Sequence, residues 1–135
     1  MSAKSEYMLL FRGTDWAKGL SPEEIQNVMD QWKGWFDGLV NKGVAKTGRP
    51  LEHEGKIVSG RNGRVVVADG PFAESKEAIG GYFILEVSGQ EEAVAIAKSC
   101  PGLAYGAVVE VRQLAQECPC ARDLASEEQL AHAAA

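Results

Sequence analysis

Among the side chains of this 135-residue sequence that could do chemistry, the densest group is "DGPFAESKE", Asp69 to Glu77. Asp69 closes an apolar run, and Gly70 and Pro71 then turn the chain. Its carboxylate is expected either to point into a cleft as a general base or ligand anchor, or to cap the turn by accepting nearby backbone N–H groups. Glu74, Lys76 and Glu77 follow. Lys76 could neutralise an anionic ligand, or the three could pair with one another and with Arg64 at the surface, where such pairs contribute only ~0 to 1 kcal/mol. His53, flanked by acids in "LEHEG", is a second acid/base candidate; its alternative is an exposed loop histidine. Arg12 and Arg49 stand at the ends of strand-like runs, where a guanidinium fork suits bidentate capture of a carboxylate. Trp16, in the glycine-bounded "GTDWAKG", is a candidate pocket wall. Trp32 and Trp35 recur at helical spacing and read as core.

Charge and composition limit what these groups can serve. The chain carries 14 Lys and Arg against 19 Asp and Glu, a net charge of −5, so a sequence-independent grip on nucleic-acid phosphates is not expected. No run approaches the about 20 apolar residues of a membrane span, and "MSAKSEYMLLFRG" has too short an apolar stretch for a secretory signal. Three cysteines, two of them in "CPC", are too few and too bunched for a disulfide framework, which fits a reducing, cytoplasmic setting. They also lack a second pair at zinc spacing, so no metal or other cofactor is expected.

Positioning the candidates requires alternating strands and helices. "EYMLLFRG" reads as a strand stopped by Gly13. Ser21, Pro22 and Glu24 form the signature of a capping box, and an apolar stripe from Ile25 to Val40 keeps three- and four-residue spacing until Gly43. "GVAKTG" is a second strand, "RPLEHEG" a polar loop, and "KIVSGRNGRVVVADG" a hairpin with an Asn-Gly turn. "GGYFILEVSG" is a further strand whose paired glycines predict a bulge or close backbone approach. "QEEAVAIAKSC" is a short helix closed by Pro101 and Gly102, and "LAYGAVVEVRQL" the last strand. The order is β-α-β, a hairpin insertion, then β-α-β, which predicts a ferredoxin-like α+β sandwich over residues 1–115 with both helices on one face. The open face would carry Tyr7, Leu9 and Phe11 or their neighbours. Residues 116–135 form a tail, with "ASEEQLAHAAA" a short peripheral helix after a serine cap.

"DGPFAESKE" followed by "GGYF", with "YMLL", "TGRPL" and "EVR", resembles the DGPF-motif branch of the YCII-related family from about Glu6 to Leu114. The resemblance implies a ferredoxin-like fold that pairs sheet to sheet into a dimeric α/β barrel, hence a homodimer. In better understood YCII-like proteins a helix-borne histidine and an aspartate are proposed as an acid/base pair, and one member is a dehydrochlorinase. Here the matching helix position falls near Gln31 or Trp32, so that pair is not intact. Members of the branch are often associated with alternative sigma factors. Two expectations follow: a binding or regulatory module for a small anionic metabolite, or a cofactor-free enzyme moving protons on a small carboxylated molecule, with Asp69 as base and Lys76 or an arginine holding the anion.

Overall fold

A computed structural model describes residues 3–13, 15–70 and 78–134 of the chain. Six strands and three helices follow one another as β1 (Ser5–Arg12), α1 (Pro22–Asn41), β2 (Ala45–Pro50), β3 (Lys56–Arg61), β4 (Arg64–Asp69), β5 (Ile79–Val87), α2 (Gln90–Ala97), β6 (Val108–Gln113) and α3 (Pro119–Ala134). A four-stranded antiparallel sheet has the order β2-β5-β1-β6, and β3 and β4 form a separate two-stranded ribbon. This α+β arrangement is compatible with a ferredoxin-like fold; no closed barrel is present among the described residues.

The local signals act as their chemistry requires. Ser21 Oγ accepts from the Glu24 N–H and the Glu24 carboxylate accepts from the Ser21 N–H, both at 3.2 Å, closing the capping box at the start of α1. Asn62 and Gly63 both have positive φ, 52° and 76°, the pairing a type I′ turn demands. The β1–β5 register slips between Phe11, opposite Gly81, and Arg12, opposite Ile79. The extra residue is Gly80. A Cβ on Gly81 would stand 2.9 Å from the Arg49 carbonyl oxygen, so this glycine lets β2 and β5 close together.

On β1 the buried residues are Tyr7, Leu9 and Phe11, which face the helices; their neighbours Met8 and Leu10 face the open side. Trp32, Trp35 and Phe36 of α1 pack on that core with Phe83 and Leu85, and the Trp35 indole donates to Ser99 Oγ at 2.9 Å. Full burial of Leu9 and Leu85 contributes about 1.5 to 3 kcal/mol each. Val109 and Val111 point to the same core while Glu110 turns outward to ion-pair with Arg12.

Three boundaries differ from the sequence reading. "LAYGA" is not strand: Pro101–Tyr105 forms a 3-10 turn, opened by Pro101 and ended by Gly106 at φ 87°, and within it Gly102 passes under the Trp32 ring, where a Cβ would lie 2.8 Å from a ring carbon. β2 runs on through Arg49 and Pro50, which an edge strand tolerates because the missing N–H faces away from the sheet. α3 begins at Pro119 rather than after Ser126, since proline suits a first helical turn and the Cys118 carbonyl accepts from the Ala121 and Arg122 N–H groups.

A pH-dependent pair of hydrogen bonds ties the first turn of α2 to the residue before its N-cap. The Glu92 carboxylate accepts from the Ser88 hydroxyl at 2.7 Å and the Ser88 N–H at 2.8 Å. These bonds, the hydroxyl's foremost, hold its pKa below the ordinary glutamate value. The unfolded chain therefore takes up this proton more readily, and the contribution is present above the ordinary carboxylate range and lost as the pH falls through it. Glu92→Gln should lower the melting temperature slightly at pH 7, with the gap to wild type closing below about pH 4.

Candidate functional site

At the end of the sheet where β1 and β2 finish and β5 begins lies a cavity of about 800 Å³. Its apolar floor is Phe11, Trp32, Phe36 and Phe83. The rings meet edge to face or tilted, with Phe11–Phe83 and Phe36–Phe83 centroids 4.7 Å apart and Phe11–Trp32 4.8 Å apart, spacings at which aromatic pairs attract beyond their buried area. Gly48 of "TGRP" makes this packing possible: a Cβ there would lie 2.5 Å from a Phe83 ring carbon and 2.9 Å from Phe36.

The rim is charged. Arg12, Lys33, Arg49, Lys56 and His53 line it, with Glu52 and Glu54 as the acids among the described residues. Trp16, half-buried in the turn after β1, is part of the wall. Four of the residues singled out from sequence, Arg12, Trp16, Arg49 and His53, thus converge on one cavity.

Their charges are not equally free. Arg12 is ion-paired with Glu110 across β1 and β6, Glu110 also accepts from Arg112 at 3.2 Å, and Arg12 Nε is buried without a partner among the described residues. Arg49 is exposed at the cavity edge and forms no ion pair among the described residues.

Asp69, expected either to point into a cleft or to cap the turn, lies on the ribbon. It ends β4 on the ribbon, is 75% exposed, and ion-pairs with Lys56, its register partner on β3; it does not line the cavity, although Gly70 beside it does. The ribbon stands away from the sheet, so a strand end here is a solvent position. Glu74, Lys76 and Glu77 lie outside the described residues. Because the Lys56–Asp69 pair is exposed on both sides, Asp69→Asn should change stability by less than about 1 kcal/mol in a chemical denaturation series.

Chemically, aromatic walls with cations at the mouth suit an anion attached to an apolar body. No group of three or more His, Cys, Asp or Glu side chains that could hold a metal occurs among the described residues. Cys118, at the start of α3, has its thiol pKa pushed down by the backbone N–H groups of Ala121 and Cys120, whereas burial pushes Cys100 up.

The family model of the YCII-related domain matches residues 6–117. The chain belongs to the YCII-related family. A comparison with curated proteins finds no match. In this YCII-related domain Trp32 of α1 is on the cavity floor. The sequence reading missed Lys33, Phe36, Lys56 and Phe83 as lining residues. The helical stripe that marked Trp32 and Phe36 as core was a correct signal, but the far edges of the same rings also form the wall.

Proposed function

We propose that this YCII-related domain, of the DGPF-motif branch by its "DGPFAESKE" stretch, is a cytoplasmic module that binds a small organic anion with an apolar body. The observation that carries the proposal is the concentration of basic side chains on one cavity of an acidic protein. Among the described residues, Arg12, Lys33, Arg49 and Lys56 meet there with Glu52 and Glu54 over an aromatic floor, and Lys33 and Arg49 remain outside the ion pairs that hold Arg12 to Glu110 and Lys56 to Asp69. Arg49 holds the anion, since Arg12 is engaged by Glu110; Trp16 and the floor rings take the apolar body, and His53 closes the rim. Proton transfer is the second reading: Asp69 lies off the cavity, which leaves His53, Glu52 and Glu54 as the acid/base groups of the described lining.

Thermal shift with benzoate, octanoate and 2-naphthoate, each beside its uncharged amide, tests this. The carboxylates should raise the melting temperature and the amides should not; equal shifts by both would remove the case for an anion site. Assaying any stabilising acid for chemical change separates binding from turnover.

The same proposal includes a homodimer. The open sheet face carries Met8, Leu10, Tyr82 and Ile84, half-buried and, among the described residues, uncovered by a helix, in register across β1 and β5. One margin is charged by Lys46, which ion-pairs with Glu6 at 3.0 Å and Glu86 at 3.8 Å; the Glu6 hydrogen bond is the main cause that pushes the Lys46 pKa up. Two such faces stacked about a two-fold axis would bury more than roughly 1,000 Å². Ile84→Glu should convert the dimer to a folded monomer in sedimentation. A wild-type monomer at micromolar concentration would refute the dimer.

A further inference from the structure

Among the described residues, the β3–β4 ribbon pairs only with itself, and α3 touches no other element. An isolated two-stranded ribbon is marginal in water, and this one is apolar where it should be wet. The register sets Val58 opposite Val67, with Val65 on the same face beside Gly60. These valines are 65%, 61% and 74% exposed, and Ile57 and Val66 add apolar surface on the other face. The three valines of one face form a contiguous exposed apolar strip, the kind of surface that marks an interaction site.

We infer that the ribbon of one copy lies against α3 of a second copy, each dimer making the contact twice. This rests on the sheet-to-sheet dimer proposed above. Charge complements the apolar surface: the ribbon carries Lys56 and Arg64 against Asp69, and α3 carries Asp123 and Glu127 against Arg122. Length matches as well, since six-residue strands span about 20 Å and a 16-residue helix about 24 Å.

Position decides between the chain's own helix and its partner's. The ribbon leaves the sheet beyond Pro50, on the β2 edge, at the end where β2 pairs with Gly81. α3 leaves beyond Gln113, on the β6 edge, at the end where β6 pairs with Tyr7. These are diagonally opposite corners, separated by three strand spacings across and a strand length along, roughly 25 Å. A two-fold axis between stacked sheets and diagonal to their strands carries one corner onto the other. Such an axis closes the assembly at two copies.

The test is an inter-chain cross-link in full-length protein with Cys118→Ser and Cys120→Ser. One preparation carries Val65→Cys, a second Leu124→Cys, and the two are mixed, allowed to exchange and oxidised. Any 65–124 disulfide in this mixture joins two chains, and mass spectrometry of the peptides should find it. A third preparation carries both substitutions. If it links within a single chain while the mixture does not, α3 folds back on its own ribbon and the inference is overturned. A sedimenting dimer with no 65–124 link in either experiment overturns the arm exchange and leaves the sheet-face dimer standing; a monomer overturns both. Should a cysteine variant fold poorly, a carbodiimide coupling of unsubstituted light and ¹⁵N-labelled chains gives the same decision. Mixed-isotope adducts of Lys56 with Asp123 or Glu127 support the exchange, and single-isotope adducts alone contradict it.

Discussion

Gly48→Ala should destabilise the domain by about 2 to 3 kcal/mol, lowering the melting temperature by roughly 10 °C. The added methyl would enter a space already occupied: its Cβ would stand 2.5 Å from a Phe83 ring carbon, 2.9 Å from Phe36 and 3.0 Å from the Tyr82 carbonyl oxygen. Neither ring can step aside alone. Phe83 is also packed against Phe11, Trp32 and Trp35, so moving it disturbs the whole aromatic floor. The same substitution should therefore weaken ligand binding together with stability. A loss under about 0.5 kcal/mol, the range of surface substitutions, would mean that the floor has slack and that Gly48 serves some purpose other than ring packing.

Arg49→Gln should separate the two effects, weakening anion binding by about ten- to a hundredfold while leaving the melting temperature of the ligand-free protein within a degree or two. A hydrogen bond to a charged group contributes about 1.5 to 3 kcal/mol, and the exposed Arg49 has no ion-pair partner among the described residues whose loss would cost stability. Arg12→Gln should behave in the opposite manner, since it leaves Glu110 with only Arg112 at 3.2 Å and removes a half-buried ion pair. Titration calorimetry and thermal melts of the two variants side by side check both. If Arg12 governs affinity and Arg49 does not, the anion sits deeper, toward β6.

Much of the fold could be read from local chemistry. The capping box, the Asn-Gly turn and the paired glycines are short-range signals whose physics does not depend on the rest of the chain, and α1, the ribbon tip and the bulge at Gly80 lie where those signals put them. Position within the ensemble was less accessible. The alternation on β1 permits either face to be buried; contact with Trp32 and Trp35 selects Tyr7, Leu9 and Phe11. The placement of Asp69 was within reach: counting back six pairs from the Asn62-Gly63 turn makes it the partner of Lys56. What the sequence withheld is that the ribbon stands clear of the sheet, which is why its end is wet. The cavity was legible in its cations but not in its floor. Arg12, Arg49, His53 and Trp16 were found by type and position, whereas Phe36 and Phe83 line the cavity only because Gly48 lets two rings close beneath it.

Anion recognition by an aromatic cavity is most directly measured by calorimetric titration of the wild-type protein with 2-naphthoate and with 2-naphthamide, two probes of nearly equal shape that differ in charge. Measurable binding of the carboxylate, at least tenfold tighter than that of the amide and weakened by added salt as screening requires, is the predicted result. Equal affinity for the two, or binding of neither, would contradict it.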